Sequence, residues 1–153
     1  RPSLWDSPTQ AIEQITAMIP QADLVKVNEV ELELLTGSQD PTASRQLLER
    51  GPQLVVVTLG PHGSYFAVAD GGEPVAPFQV ETVDATGCGD AFIAGLLWQL
   101  ITAEDWRRQL VPARLREILR YANAVGALTA RTMGVIPALP TAAQVAAFLE
   151  SSG

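Results

Sequence analysis

Seven residues, Asp84-Ala85-Thr86-Gly87-Cys88-Gly89-Asp90, run straight into Ala91-Phe92-Ile93-Ala94-Gly95-Leu96-Leu97, and no other stretch constrains the fold of this chain as strongly. Small residues at a loop-to-helix junction leave backbone N–H groups uncovered, and the first turn of a helix holds N–H groups with no partner inside it. Together they predict an anion site at the start of a helix over 89–100. An acid at the mouth of a site that merely binds anions would repel the ligand. A carboxylate is useful where a hydroxyl must lose its proton beside a phosphate, so Asp90 points to phosphoryl transfer. A buried strand-turn-helix with glycines for packing would show the same residues. Other phosphate loops fit less well, because no Gly-Lys-Ser/Thr follows the glycines and no Gly-x-Gly-x-x-Gly is present.

The chain around this motif has the length of about one domain, 153 residues, with no low-complexity segment, internal repeat or interior linker. Its net charge of −7, with Lys26 the single lysine, argues against a nucleic-acid partner, which needs a basic stripe. It argues equally against a polybasic membrane anchor. Cys88 is the only cysteine, so no internal disulfide can form and a reducing, cytoplasmic setting is expected. The apolar run from Ala91 to Trp98 is far shorter than the ~20 residues of a membrane span and predicts a helix buried on most sides. Nothing in the chain reads as a secretory signal.

The rest reads as alternating helices and strands. Ser7-Pro8-Thr9-Gln10 is a capping box opening a helix that ends near Pro20. Leu24–Val27 is a strand, Glu29–Leu35 a helix stopped by Gly37, and Asp40-Pro41 the cap of a helix through Glu49. Leu54-Val55-Val56-Val57-Thr58 is the β-branched run of a strand buried on both faces of a parallel sheet. Gly60-Pro61-His62-Gly63 is a turn, with His62 expected to be exposed, and Ser64–Val68 returns as a strand. Asp70-Gly71-Gly72 turns the chain into a further strand over 75–80. A long helix begins at Pro112, with Leu115, Ile118, Leu119, Ala122 and Val125 inward, and ends at Gly134 and Pro137. Thr141 with Gln144 caps a last helix. The expected architecture is α/β: one domain over 1–153, with a predominantly parallel sheet and helices on both faces.

In such sheets ligands collect at the carboxyl ends of strands, and three of those ends carry polar residues here. Asn28 and Glu31 fall on one side of a first helical turn, where helix capping would also place them. Thr58-x-Gly60-x-x-Gly63 gives a hydroxyl and a flexible backbone, as a plain hairpin would. The third is the Asp84–Asp90 motif. Taken together the chain resembles the PfkB/ribokinase family of carbohydrate kinases, whose second signature is Asp-Thr-x-Gly-Ala-Gly-Asp. Ala85 and Cys88 depart from it, both with small residues. The family's Asn-x-x-Glu and Thr-x-Gly-x-x-Gly motifs occur in family order, followed by Gly134-x-x-Pro137-x-x-Pro140. Arg1-x-x-Leu4-Trp5 and residues 28–37 are most similar to fructokinases.

The resemblance implies a ribokinase-like fold and a specific division of labour. Asp90 would be the catalytic base toward the sugar hydroxyl, and the amides of Gly87, Cys88 and Gly89 the anion hole. Asn28, Thr58, Gly60, Gly63, Gly89 and Asn123 would meet the nucleotide. Glu31 would position magnesium through water. Asp84, Thr86, Thr129, Thr132 and Gly134 lie where related members hold a monovalent cation, potassium in particular. The implied reaction moves the γ-phosphate of ATP to a sugar, fructose to fructose 6-phosphate first, with ribokinase or nucleoside kinase chemistry as the alternative. The resemblance also makes this the C-terminal half of a kinase about twice as long. Its partners would be a sugar, ATP and the N-terminal half, or a second copy as a homodimer. A half that only binds nucleotide or a partner chain is the non-enzymatic alternative.

Overall fold

The computed structural model describes residues 5–152, so Arg1–Leu4 of the Arg-x-x-Leu-Trp opening lie outside the described residues. The chain divides into two compact units. One takes in the chain up to Thr58 together with Tyr65–Glu73; the other is Leu59–Ser64 and the chain from Pro74 onward.

In the first unit α1 (Pro8–Met18) starts where expected, with the Ser7 hydroxyl accepting the Gln10 amide at 3.1 Å. The reciprocal half of the capping box shifts one residue upstream. The Gln10 side-chain oxygen accepts the Asp6 amide at 3.0 Å, and its amide nitrogen donates to the Asp6 carboxylate at 3.2 Å, which fixes that choice. Strand β1 (Leu24–Asn28) runs into α2 (Glu29–Thr36), which ends at Gly37 in the left-handed conformation, φ 78°. The helix expected over 40–49 is broken into a 3-10 turn, Pro41–Ser44, and a single α-turn, α3 (Arg45–Leu48). Local side chains compete for the backbone there: Asp40 accepts the Thr42 amide at 2.9 Å, and the Ser44 hydroxyl donates to the Pro41 carbonyl at 2.6 Å.

Strand β2 (Leu54–Thr58) pairs with β1 in parallel, Leu24 opposite Leu54 through Asn28 opposite Thr58. Leu54, Val55, Val56 and Val57 are fully buried, as the β-branched run predicts. Strands β3 (Ser64–Val68) and β4 (Gly71–Val75) complete the order β1-β2-β3-β4. The sheet is mixed, which corrects the expectation of a predominantly parallel one. A parallel crossover needs a dozen or more residues; α2 and α3 supply it between β1 and β2, whereas short turns join β2 to β3 and β3 to β4. Strand β4 also starts earlier than expected and stops at Val75 instead of extending to Val80. The turn is Ala69-Asp70, and Gly72 lies within the strand. A Cβ on Gly72 would come within 2.7 Å of the Phe66 carbonyl oxygen and the Tyr65 hydroxyl. Beyond Val75, Pro77 has no N–H to continue a ladder.

The second unit holds α4 (Cys88–Ile101), α5 (Pro112–Ala130) and α6 (Ala142–Ser151), the last with the complete Thr141/Gln144 capping box. The predicted inward face of α5 is buried at Leu115, Ile118, Leu119, Ala122 and Val125. That helix ends at Ala130, short of Gly134, because the Ala130 carbonyl is taken by the amides of Val83 and Asp84 at 2.8 and 3.1 Å. Helices α4 and α5 meet closely at two glycines. A Cβ on Gly95 would lie 2.9 Å from Val125 Cγ2, and one on Gly126 would lie 3.4 Å from the Cys88 carbonyl oxygen. Ala91, Ala124, Val125 and Val145 form a buried cluster, onto which Phe78 and Phe148 pack with ring centres 5.0 Å apart. Helix α4 is not buried on most sides as expected: Leu97, Trp98 and Ile101 are 43%, 54% and 69% exposed. No helix among the described residues is long and apolar enough to cross a membrane.

The close approach at Gly95 is testable. Gly95→Val should destabilise the protein by roughly 1–3 kcal/mol through overpacking against the stiff Val125 side chain. Thermal unfolding should show a fall in Tm of several degrees; an unchanged Tm would mean that α4 and α5 do not meet there.

Candidate active site

Helix α4 begins without a side-chain cap. Its N-cap is Gly87, in the left-handed conformation at φ 79°, and it offers only backbone to the helix. Most helices start on Ser, Thr, Asp or Asn, whose oxygen satisfies a first-turn N–H. Here those N–H groups are left to an outside acceptor, which is what an anion-binding turn requires. The predicted hole is not uniform, however. The Cys88 amide already donates to the Ala85 carbonyl, at a long 3.3 Å, so Gly89 and Asp90 in the first turn are better placed to receive an anion. The Cys88 thiol faces the Asp84 carbonyl at 3.7 Å and is half-buried; burial, then the Asp84 charge, pushes its pKa up. It is therefore a small packing group under the loop and a poor nucleophile at neutral pH. Asp90 sits in the first turn of α4 and is exposed, so its carboxylate is open to an incoming hydroxyl.

The loop before α4 is held by Asp84. One carboxylate oxygen accepts the Thr86 amide at 2.9 Å, and the other accepts the Gly134 amide at 3.0 Å, fifty residues away in sequence. These backbone bonds, that from Thr86 first, hold the Asp84 carboxyl below the usual carboxylate range. Val135, next to Gly134, covers the N-cap: a Cβ on Gly87 would come within 2.5 Å of Val135 Cγ1. Gly134 itself is left-handed, φ 88°, and turns the chain so that its amide and the next side chain reach the same loop. Neither Val135 nor Gly126 carried a motif signal. A helix-interior glycine at 126 and a turn glycine followed by valine were the hints available.

Several site residues predicted from the sequence prove to be engaged in structural bonds. The Asn123 side chain is buried and donates to the carbonyls of Val75 and Ala76 at 3.4 and 3.0 Å, pinning α5 to the end of β4. The Thr129 hydroxyl is buried and bonded to the Val125 carbonyl at 2.9 Å, and the Thr132 amide donates to the Thr129 carbonyl at 3.4 Å. Gly63 (φ 89°) lies against the backbone of residues 75–77, where a Cβ would be 2.3 Å from the Val75 carbonyl oxygen. Gly60 (φ 52°) has open space at its Cβ, so its backbone is the approachable part of that turn. His62 between them is exposed.

In the first unit, Asn28 and Glu31 satisfy each other. The Asn28 side chain accepts the Glu31 amide at 2.8 Å, and the Glu31 carboxylate accepts the Asn28 amide at 2.8 Å. This is a complete capping box, with one Glu31 oxygen left over. The Thr58 hydroxyl donates to the Val27 carbonyl at 3.4 Å. No cluster of three His, Cys, Asp or Glu that could hold a metal exists among the described residues.

The start of α4 is thus an uncapped, glycine-rich turn, braced from two sides and carrying an exposed carboxylate, a geometry suited to holding an anion. The sequence model described as the pfkB family of carbohydrate kinases matches residues 1–142, and the chain belongs to that family. It is 40% identical over 149 residues to Fructokinase-2 of Solanum habrochaites, covering 96% of this chain and 45% of that protein. Among solved structures it is similar to the fructokinase of Vibrio cholerae O395 bound to fructose, ADP and a calcium ion. That match has a TM-score of 0.87 and 36% identity over 97% of this chain and 48% of the other. Aminoimidazole riboside kinase from Salmonella enterica, complexed with aminoimidazole riboside and an ATP analogue, matches with a TM-score of 0.85 at 32% identity, over 97% and 49%. The chain thus spans about half the length of these relatives.

Two outcomes are expected of the loop. Because the folded-state pKa of Asp84 is depressed, its clamp is present above the ordinary carboxylate pKa and is lost as pH falls through the folded value. Protection of the Gly134 amide, its exchange relative to the intrinsic rate at the same pH, should fall in that acid range, and Asp84→Asn should remove the dependence; the same acid response in both would assign it to another group. Gly87→Ala should cost at least ~1–2 kcal/mol for the left-handed backbone alone. Val135→Ala should recover only the part of the loss due to the clash, as a double-mutant cycle reads it.

Proposed function

We propose that this chain is the part of an ATP-dependent sugar kinase that binds the transferring phosphate and deprotonates the acceptor. The observation that carries the reading is the uncapped start of α4 with exposed Asp90 in its first turn. Asp90 accepts the proton of the sugar hydroxyl as that oxygen bonds to the γ-phosphorus of ATP. The bond from phosphorus to the bridging oxygen breaks and ADP leaves. The amides of Gly87, Gly89 and Asp90 stabilise charge spread over the transferring oxygens, with Cys88 contributing less because of its bond to Ala85.

Asn28, Thr58, Gly60 and Gly63 are assigned to the nucleotide, Gly60 through its open backbone. Asn123 acts by fixing the chain after β4. Glu31 meets magnesium through water, using the oxygen that the capping box leaves over. Both Asp84 oxygens accept amides and so hold the loop. A potassium ion near Thr86, Thr129, Thr132 and Gly134 would reinforce that clamp. Fructose is the preferred acceptor, supported by the fructokinase names among the relatives at about 40% identity. The riboside kinase match supports a nucleoside-type acceptor as the second choice. A single free cysteine suits a cytoplasmic enzyme.

The test is ATP-dependent phosphorylation of fructose, ribose and adenosine, with magnesium, by this chain alone and by the chain extended through its own upstream coding sequence. Turnover is expected in the extended form, and Asp90→Asn in that form should lower kcat by ~10²–10⁴. A folded extended protein with no turnover on any acceptor would leave a binding remnant. Unimpaired Asp90→Asn would take the base role from Asp90.

A further inference from the structure

Two cavities of the second unit meet at the end of α5. The larger, about 550 Å³, lies between that end and α6; the smaller, about 410 Å³, is lined by Gln79, Glu81 and Val83 among others. Arg131 and Phe148 line both, and neither cavity includes a residue of the Asp84–Asp90 motif. Small-molecule sites have volumes of roughly 300–1,000 Å³, so either is large enough. Arg131 is exposed, and among the described residues its side chain makes no hydrogen bond or ion pair. An arginine is at home at a helix C-terminus, which accounts for its charge there but not for the two hollows it lines.

The larger cavity combines donors with apolar walls. Arg131 offers a planar fork of N–H groups, which matches a carboxylate bidentately. Thr132 adds a hydroxyl. The Gln144 side-chain oxygen is engaged by the Thr141 amide and hydroxyl at 2.8 and 2.9 Å, so what it has left to give is its NH2 group. No Asp or Glu lines this cavity among the described residues. Pro137 and Phe148 supply apolar surface, and the Phe148 ring already packs on Phe78. An anion with a flat apolar body answers both halves. One guanidinium neutralises one charge, and Glu81, which shares the smaller cavity with Arg131, would repel a second. The chemistry is therefore that of a monocarboxylate and not of a phosphate dianion.

The same cavity lies against the braces of the anion loop. Arg131 follows Ala130, whose carbonyl accepts the Val83 and Asp84 amides. Thr132 and Pro137 stand on either side of Gly134, whose amide donates to Asp84 at 3.0 Å. A molecule bonded to Arg131 and resting on Pro137 joins the two ends of residues 131–137 and restrains the turn between them. We propose that this cavity is a site for a small aromatic monocarboxylate, held by Arg131 and packed on Pro137 and Phe148, and that its occupation tightens the Asp84–Gly134 clamp. A ligand that binds the clamped form better raises the population of that form by the difference in affinity and no more. The site is separate from Asp90 and does not depend on the phosphotransfer reading.

The test uses benzoate, with benzamide as its neutral counterpart and acetate as the carboxylate without a ring. Each is added at neutral pH to the isotopically labelled chain, and the backbone amide resonances are followed. Benzoate is expected to give saturable shifts at Arg131, Thr132, Ala138 and Ala147. Benzamide and acetate should bind at least about tenfold more weakly, and so should benzoate to Arg131→Gln, as loss of a hydrogen-bonded charge implies. Hydrogen-exchange protection of the Gly134 amide should rise several-fold with benzoate in the parent chain and stay level in Arg131→Gln. Shifts that grow without saturation, benzamide bound as tightly as benzoate, or unchanged affinity in Arg131→Gln would each overturn the site. Saturable binding that leaves Gly134 protection unchanged overturns the coupling to the clamp. No arm measures turnover, so a chain without kinase activity can still uphold the site, and loss of the site leaves the proposed activity standing.

Discussion

The Asp84 carboxylate is the interaction on which the site depends. A loop of small residues has little side-chain surface to hold it, and its geometry must come from hydrogen bonds to its backbone. Asp84 supplies two, to Thr86 within the loop and to Gly134 beyond the end of α5. The Ala130 carbonyl adds a second attachment by accepting the amides of Val83 and Asp84. The start of α4 is thereby tied to the end of α5. Val135 then closes the space over Gly87, and Gly126 lets α5 approach beneath the Cys88 carbonyl. A glycine at the N-cap costs only roughly a few tenths of a kcal/mol relative to a good side-chain cap. The bonds from Asp84 and the cover of Val135 hold the loop in its place.

The glycines show how the same residue type serves opposite ends. Gly87 is needed for its left-handed backbone and for lack of a Cβ under Val135. Gly95 and Gly126 are needed for helix approach, and Gly63 for the close passage of residues 75–77. Gly60 meets nothing within 4 Å, so packing does not account for it, and its open backbone is the reason to keep it in the nucleotide assignment. The motif Thr58-x-Gly60-x-x-Gly63 therefore contains one glycine required by close packing and one whose positive φ of 52° alone favours glycine.

Much of this was legible in the sequence because it is local. The caps at Ser7, Asn28 and Thr141, the buried run Leu54–Val57 and the inward face of α5 follow from periodicity and short-range chemistry, and the structure shows each. The misreadings came from interactions distant in sequence or from backbone competition. The end of α5 is set by Val83 and Asp84 reaching its last carbonyl, which no pattern around residue 130 announces. The strand expected over 75–80 gives way because Asn123 takes the carbonyls of Val75 and Ala76 and Pro77 lacks a donor. The direction of β3 and β4 follows from the short connections after β2 and β3, which allow only antiparallel pairing, whereas the β-branched run of β2 signals burial and not direction. At the site, the loop and its acid were plain, but Val135 and the exact spending of Thr58, Asn123 and Thr129 on backbone partners depended on tertiary contacts.

The central claim is that the first-turn amides of α4 form a phosphate site that exists in this chain before any partner completes it. The most direct measurement is a titration of the isotopically labelled chain with tripolyphosphate, and separately with ATP and magnesium, followed through the backbone amide resonances. The account predicts saturable shifts centred on Gly87, Gly89 and Asp90, smaller at Cys88, and reduced in Gly87→Ala. Shifts confined to the arginine-rich surface around residues 107–116, with the α4 amides unmoved, would contradict it.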